Sequence, residues 1–382
     1  MKKKGTAYLL IFVFLMATYT DAQSKYKGGA KHAPLAAAML PDSAGYNFHQ
    51  VVSGALDDSL HKMMEKLFTV THMPGITAAM LIPGKGIWRI DSGFTAMDRQ
   101  QRVDAQSVFY WASVGKLITA TIITALIAEN KLTADSRLSQ WFPEIQDADK
   151  ITMTTLLQHT SGIYSFNADS FFHVHPRYYS PTELLTLATS KKNDFPPGQY
   201  WSYSNTGYLL LALIAEKIEG KTYADIVQQR IAIPLQLSSL KALAPQELPA
   251  NLALAHHQGQ VVTTGYSTPL GAGNIVGNAR DLVVFLAALF TGQLQPHSIT
   301  YDRFRELYPM YDKGTYYGKG VMLFDFNEIN HTNDYWLGHS GGTENYRAIL
   351  LYDTATRAFV AVAVNEHIPV EAIARKMLEQ IR

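Results

Sequence analysis

Residues 108–128 read Val108-Phe109-Tyr110-Trp111-Ala112-Ser113-Val114-Gly115-Lys116-Leu117-Ile118-Thr119-Ala120-Thr121-Ile122-Ile123-Thr124-Ala125-Leu126-Ile127-Ala128. One apolar run ends at Ser113. A second, Leu117 to Ala128, reads as a buried helix. The seam therefore predicts a hydroxyl at a helix N-terminus with an amine one turn further on. Positions three apart share a helical face, so Lys116 can reach Ser113. A serine with a base in reach is the arrangement of an activated nucleophile. The pattern Ser-x-x-Lys says little by itself, since Ser24/Lys27, Ser59/Lys62 and Ser238/Lys241 also match it. Only at Ser113 does it join two apolar runs.

Working outward, strands are expected at both ends of the chain and helices between them. Leu56, Leu60, Met63, Met64 and Leu67 fall on one face of a helix over 56–68, with Ser59 and Lys62 on its polar side. Ile76 to Ile82 and Ile87 to Phe94 flank Pro83-Gly84-Lys85-Gly86, a hairpin signal. Tyr208 to Ile218 reads as a helix stopped at Gly220, and Asn278 caps a helix through Phe290. Tyr346 to Tyr352 and Ala358 to Asn365 are β-rich runs, and Val370 to Ile381 a closing amphipathic helix. The economical fold is α+β: one antiparallel sheet built from both chain ends with flanking helices, plus an inserted all-helical subdomain over about 113–254.

Composition narrows the function classes. Lys2, Lys3 and Lys4 precede an apolar stretch, Tyr8 to Ala17, and Thr20-Asp21-Ala22 suits cleavage. Residues 1–22 thus read as an export signal, 23–49 as a linker and 50–382 as the working domain. No stable membrane span is expected after cleavage, and the expected location is periplasmic or secreted. There is no cysteine, which excludes disulfides, a thiol nucleophile and cysteine-ligated zinc. The apolar fraction of 47% supplies a core, and a net charge of +1 gives no reason to expect nucleic acid as a partner. No cofactor or metal is expected: His173-Val174-His175 and His256-His257 lack a third ligand nearby.

Two further motifs stand with Ser113-x-x-Lys116. Tyr203-Ser204-Asn205 precedes the helix at Tyr208, and His339-Ser340-Gly341 precedes the C-terminal strands. In this order, the three resemble the serine β-lactamase and penicillin-binding-protein superfamily, above all its class C-type group. That group contains class C β-lactamases, D-Ala-D-Ala carboxypeptidases, D-amino-acid peptidases and esterases. Leu156-Leu157-Gln158-His159-Thr160-Ser161-Gly162, Pro196-Pro197-Gly198-Gln199-Tyr200-Trp201-Ser202 and Tyr317-Gly318-Lys319-Gly320 also look like segments of that group. The likeness runs from about Leu56 to the C-terminus.

The resemblance implies roles. Ser113 is the nucleophile and Lys116 its base, because a desolvated lysine has a lowered pKa. Tyr203 shares the proton relay, and His339 lies beside it and tunes it. Asn205, Ser340, Gly341 and Gly342 contact substrate, with the oxyanion held by the N–H groups of Ser113 and Gly342. Class C β-lactamases carry lysine where this chain has His339, and a histidine is largely neutral near pH 7. A D-Ala-D-Ala carboxypeptidase or D-amino-acid peptidase is therefore expected, ahead of an esterase, a weak β-lactamase or a non-catalytic sensor of β-lactams or peptidoglycan. The expected partner is a small-molecule or peptide substrate.

One rival motif overlaps the third. Gly338-His339-Ser340-Gly341-Gly342 matches the nucleophile elbow of α/β-hydrolases, with Asp353 and His367 following in the right order. An elbow feeds a helix, whereas Tyr346 onward reads as a strand.

Overall fold

A computed structural model describes residues 26–382 apart from 99, 176, 263, 264 and 333. The expected signal, residues 1–22, lies outside them. Nine antiparallel strands form the main sheet. Their spatial order is Gln101–Arg102, Gly86–Ala96, Gly75–Ile82, Phe359–Val364, Arg347–Asp353, Tyr335–Gly342, Met322–Asp325, Thr315–Tyr317 and Tyr308–Pro309. The first and last thirds of the chain meet where Gly75–Ile82 pairs with Phe359–Val364, from Ile76 opposite Val364 to Leu81 opposite Phe359. The fold is the α+β architecture expected.

Both faces of that central pair are covered, so both strands are buried throughout. Alternation divides them between two cores. Val360, Val362 and Val364 pack with helices Ala55–Thr71 and Val370–Glu379 on one face. Phe359, Ala361 and Ala363 face the other way, onto helices Gly115–Ala128, Asn205–Glu219 and Ala279–Phe290. The local signals behave as their chemistry requires. Asn278 accepts from the Asp281 N–H at the start of its helix, and Gly220 ends another at φ +64°.

Two regions differ from the reading of the sequence. Residues 26–49 were expected as a linker, yet they lie along the domain. His32 bridges Leu307 at the sheet edge, Lys31 pairs with Glu306 at 2.9 Å, and Leu35 and Leu40 are buried. An extended segment held by edge pairing needs no helical period, which is why none is visible. The stretch 113–254 is helical through Ala232 but then supplies the strand Lys241–Ala242. That strand and Phe109–Tyr110 flank Ile275–Gly277 in a small second sheet. A two-residue strand is too short to leave a periodic signal.

Candidate active site

The small sheet delivers the chain to Ser113. Trp111 N–H donates to the Ile275 carbonyl, and Ala112 then takes φ +45°, a left-handed conformation uncommon outside glycine. A single 3-10 turn, Ala112–Val114, carries Ser113 into the helix Gly115–Ala128. That helix is buried on nearly every side, which is why its sequence is mostly apolar. Lys116 is pointed inward with the rest of it and is fully buried.

Among the described residues, the Lys116 amine has three hydrogen-bond partners, none of them a carboxylate. Nζ lies 2.6 Å from the Ala272 carbonyl, 2.7 Å from Asn205 Oδ1 and 3.2 Å from Ser113 Oγ. Burial pushes its pKa well below the ordinary lysine value. In its unprotonated form the amine has two hydrogens and one lone pair; with the hydrogens on the two short bonds, the lone pair faces Ser113 Oγ. Asn205 is itself pinned: its side-chain amide donates to Asn167 Oδ1 at 2.8 Å, and its N–H to Ser165 Oγ at 2.9 Å.

Tyr203 approaches from the turn before helix Asn205–Glu219. Its phenol lies beside Ser113, and Lys116 Nζ sits 4.8 Å from the centre of its ring. Burial raises the Tyr203 pKa above the usual phenol range, and the neighbouring Ser113 opposes this only in part. The pair is thus an amine whose charge is opposed by burial and a phenol held protonated by burial, on either side of one serine hydroxyl. Burial favours the amine as a proton acceptor and leaves the phenol a proton to give.

The third motif lies in strand Tyr335–Gly342. His339 Nε2 stands 3.1 Å from the Tyr317 hydroxyl, while Nδ1 meets the Ser340 carbonyl. Nδ1 therefore carries the proton and Nε2 accepts from Tyr317. Burial first, and Lys116 second, push the His339 pKa down to about 3, so the ring is neutral. Gly341 abuts the start of the Ser113 helix. A Cβ there would stand 2.3 Å from the Trp111 carbonyl and 3.1 Å from Ser113 N. Only a glycine lets the strand approach this closely. Ser340 differs from the rest. Its hydroxyl lies on Met322 Sδ at 3.5 Å rather than on any group around Ser113. The two-residue alternation of a strand puts it on the face opposite His339 and Gly341.

The competing patterns dissolve in three dimensions. Ser59 donates to Gln380 and Lys241 pairs with Glu247, while Ser24 is outside the described residues. Gly338–Gly342 continues as strand and then pairs with Arg347–Asp353, so no elbow exists. Asp353 bonds Trp336 and Thr356, and His367 contacts Arg347. His256 accepts from the Met97 N–H. His175 stacks on Phe171, and the His173 side chain is outside the described residues. Among the described residues, no three acidic or histidine side chains are placed to hold a metal.

Sequence reading gave no role to the aromatic box around Tyr203. His159, Trp201 and Tyr317 pack around its ring, and Tyr208 packs on His159. The signal was present, since His159, Trp201 and Tyr317 all fall in segments singled out for their likeness, but spacing along the chain does not reveal which rings meet.

A serine hydroxyl beside a desolvated amine and a phenol is the arrangement of an activated nucleophile. Residues 60–380 match the Beta-lactamase family model, and the chain belongs to that family. It is 28% identical over 197 residues to penicillin-binding protein 4 of Amycolatopsis lactamdurans, half of this chain and 51% of that protein. It is 24% identical over 242 residues to the esterase EstB of Burkholderia gladioli, 58% of this chain and 61% of that one. The chain spans about half the length of the curated relatives it matches. Among solved structures, the D-amino acid amidase of Ochrobactrum anthropi SV3 superposes with a TM-score of 0.75 at 22% identity, covering 86% of this chain and 99% of that one. A penicillin-binding protein of Bacillus halodurans gives 0.69 at 24%, covering 84% and 98%.

Proposed function

We propose that this chain is an exported hydrolase that works through an acyl-enzyme on Ser113, with small D-amino-acid peptides or amides and peptidoglycan stem peptides as substrates. The observation that carries the mechanism is the buried Lys116 amine, 3.2 Å from Ser113 Oγ with Asn205 Oδ1 and the Ala272 carbonyl as its other partners. Lys116 takes the Ser113 proton as Oγ adds to the substrate carbonyl. The N–H groups of Ser113 and Gly342 receive the oxyanion, and such donors contribute ~3 kcal/mol each. Tyr203 gives its proton to the leaving nitrogen or oxygen as the bond to the acyl carbon breaks, and is reprotonated from Lys116. Water then enters by the reverse path and frees Ser113.

The neutral His339 bears on the substrate. With no cation at that position, nothing there attracts the carboxylate of a β-lactam, so rapid β-lactam hydrolysis is not part of the reading. The same neutrality suits uncharged esters, which form the second reading. Export rests on the charged and apolar pattern of residues 1–22. Among the described residues, no helix is long and apolar enough to cross a membrane.

The test is intact-protein mass over time after addition of a penicillin, for wild type and Ser113→Ala. A lasting adduct on wild type alone supports the peptidase reading, and a fast-decaying one favours a β-lactamase. No adduct, together with turnover of p-nitrophenyl esters but not D-amino-acid amides, selects the esterase. Ser113→Ala activity within tenfold of wild type would sink the mechanism.

A further inference from the structure

His159 carries two local costs at once. Its φ is +60°, in the left-handed region that a histidine occupies with strain. Its Nδ1 accepts the Ser204 N–H at 3.1 Å, which leaves the ring proton on Nε2. That N–H is buried and meets no hydrogen-bond partner among the described residues. Burial, with Lys116 and His339 nearby, keeps the ring neutral. Strained backbone and unpaired buried donors persist where a site needs them.

The need is visible in what His159 holds. Its carbonyl accepts the Ser202 N–H at 3.0 Å and its Nδ1 the Ser204 N–H, so it grips the main chain on both sides of Tyr203. Its ring lies 4.2 Å from the Tyr203 ring at 37°, and 4.5 Å from that of Tyr317. Asparagine would suit the backbone and could accept from Ser204, but has no ring. Phenylalanine has the ring but no acceptor. Histidine supplies both, with the unpaired Nε2–H as the consequence.

We infer that His159 is the positioning residue for Tyr203: it fixes the phenol on Ser113 Oγ and touches neither substrate nor the reacting atoms. The inference rests on the proton-delivery role proposed for Tyr203. The test is a double-mutant cycle on p-nitrophenyl acetate and D-alanine p-nitroanilide, with thermal melting of every variant. His159→Asn is expected to keep the wild-type melting temperature and lose about 10- to 100-fold in kcat, the scale of a ~1 Å misplacement. KM should stay within about threefold, since the lost placement acts on the chemical step. In a Tyr203→Phe background the same substitution should cost less than about twofold, because the group being positioned is gone. His159→Phe, expected to fall between wild type and His159→Asn, runs in parallel so that misfolding of one variant leaves the other to decide. An equal loss in both backgrounds, or no loss in either, overturns the positioning role. Near-normal activity of Tyr203→Phe alone overturns the proton-delivery reading itself, and the positioning role with it.

Discussion

Lys116→Arg and Lys116→Met, compared side by side, separate two consequences of one buried amine. The guanidinium stays charged and cannot take a proton from Ser113, while methionine removes the base altogether. A positioned general base contributes about 10²- to 10⁴-fold, or roughly 3–5 kcal/mol of barrier, so both variants should lose acylation on that scale. Stability should respond to pH as well. Burial holds the folded pKa of Lys116 below its unfolded value, so between the two values the unfolded chain binds one more proton. Stability therefore rises with pH through that window, by up to about 1.4 kcal/mol per pH unit, and is lowest beneath the folded pKa. Lys116→Met removes that slope. Urea melts at pH 8 and 9.5 should show wild type gaining stability relative to Lys116→Met. Acylation is read from the p-nitrophenolate burst. Lys116→Arg within tenfold of wild type, or parallel stability–pH lines for wild type and Lys116→Met, would refute the neutral-base reasoning.

Gly341→Ala should lower the thermal midpoint by the equivalent of about 1–3 kcal/mol and slow the burst as well, because its Cβ would press on the Trp111 carbonyl and the N–H of Ser113. An unchanged burst would mean that the strand can retreat without moving Ser113. His339, held down to about 3, should contribute no limb to the kcat/KM–pH profile near its ordinary value. Its effect belongs to acid stability: as pH falls from about 6.5 toward 3 the unfolded chain takes up a proton that the folded chain refuses, so stability falls. His339→Gln should flatten that decline in urea melts, and an identical decline would remove His339 as its source. Leu35→Ala should cost about 2–5 kcal/mol in a denaturant melt, since Leu35 is 4% exposed; a tether outside the fold would lose nothing.

Local chemistry explains what was legible. Helix 205–219, the hairpin at Pro83–Gly86 and the C-terminal strands follow from period, caps and turn residues that act within a few positions. Ser113 and Lys116 belong to that legible part, because one helical turn fixes their relation. Tyr203, Asn205 and His339 were found by motif order, which names the residues without giving their contacts. The strap at 26–49 and the strand at 241–242 were missed because edge pairing leaves no periodic trace.

The sequence by itself determined the α+β order of elements, the missing thiol chemistry and the one serine that begins a buried helix with a lysine in reach. Tertiary structure alone decided the protonation states. The Lys116 pKa is driven well down because the packed helices exclude water and offer its amine the oxygens of Asn205, Ala272 and Ser113. Tyr203 stays protonated and His339 uncharged for the same reason. It also placed the His159 ring against that of Tyr203. Desolvation and ring contacts depend on segments far apart in the chain, and spacing along a sequence carries no measure of either.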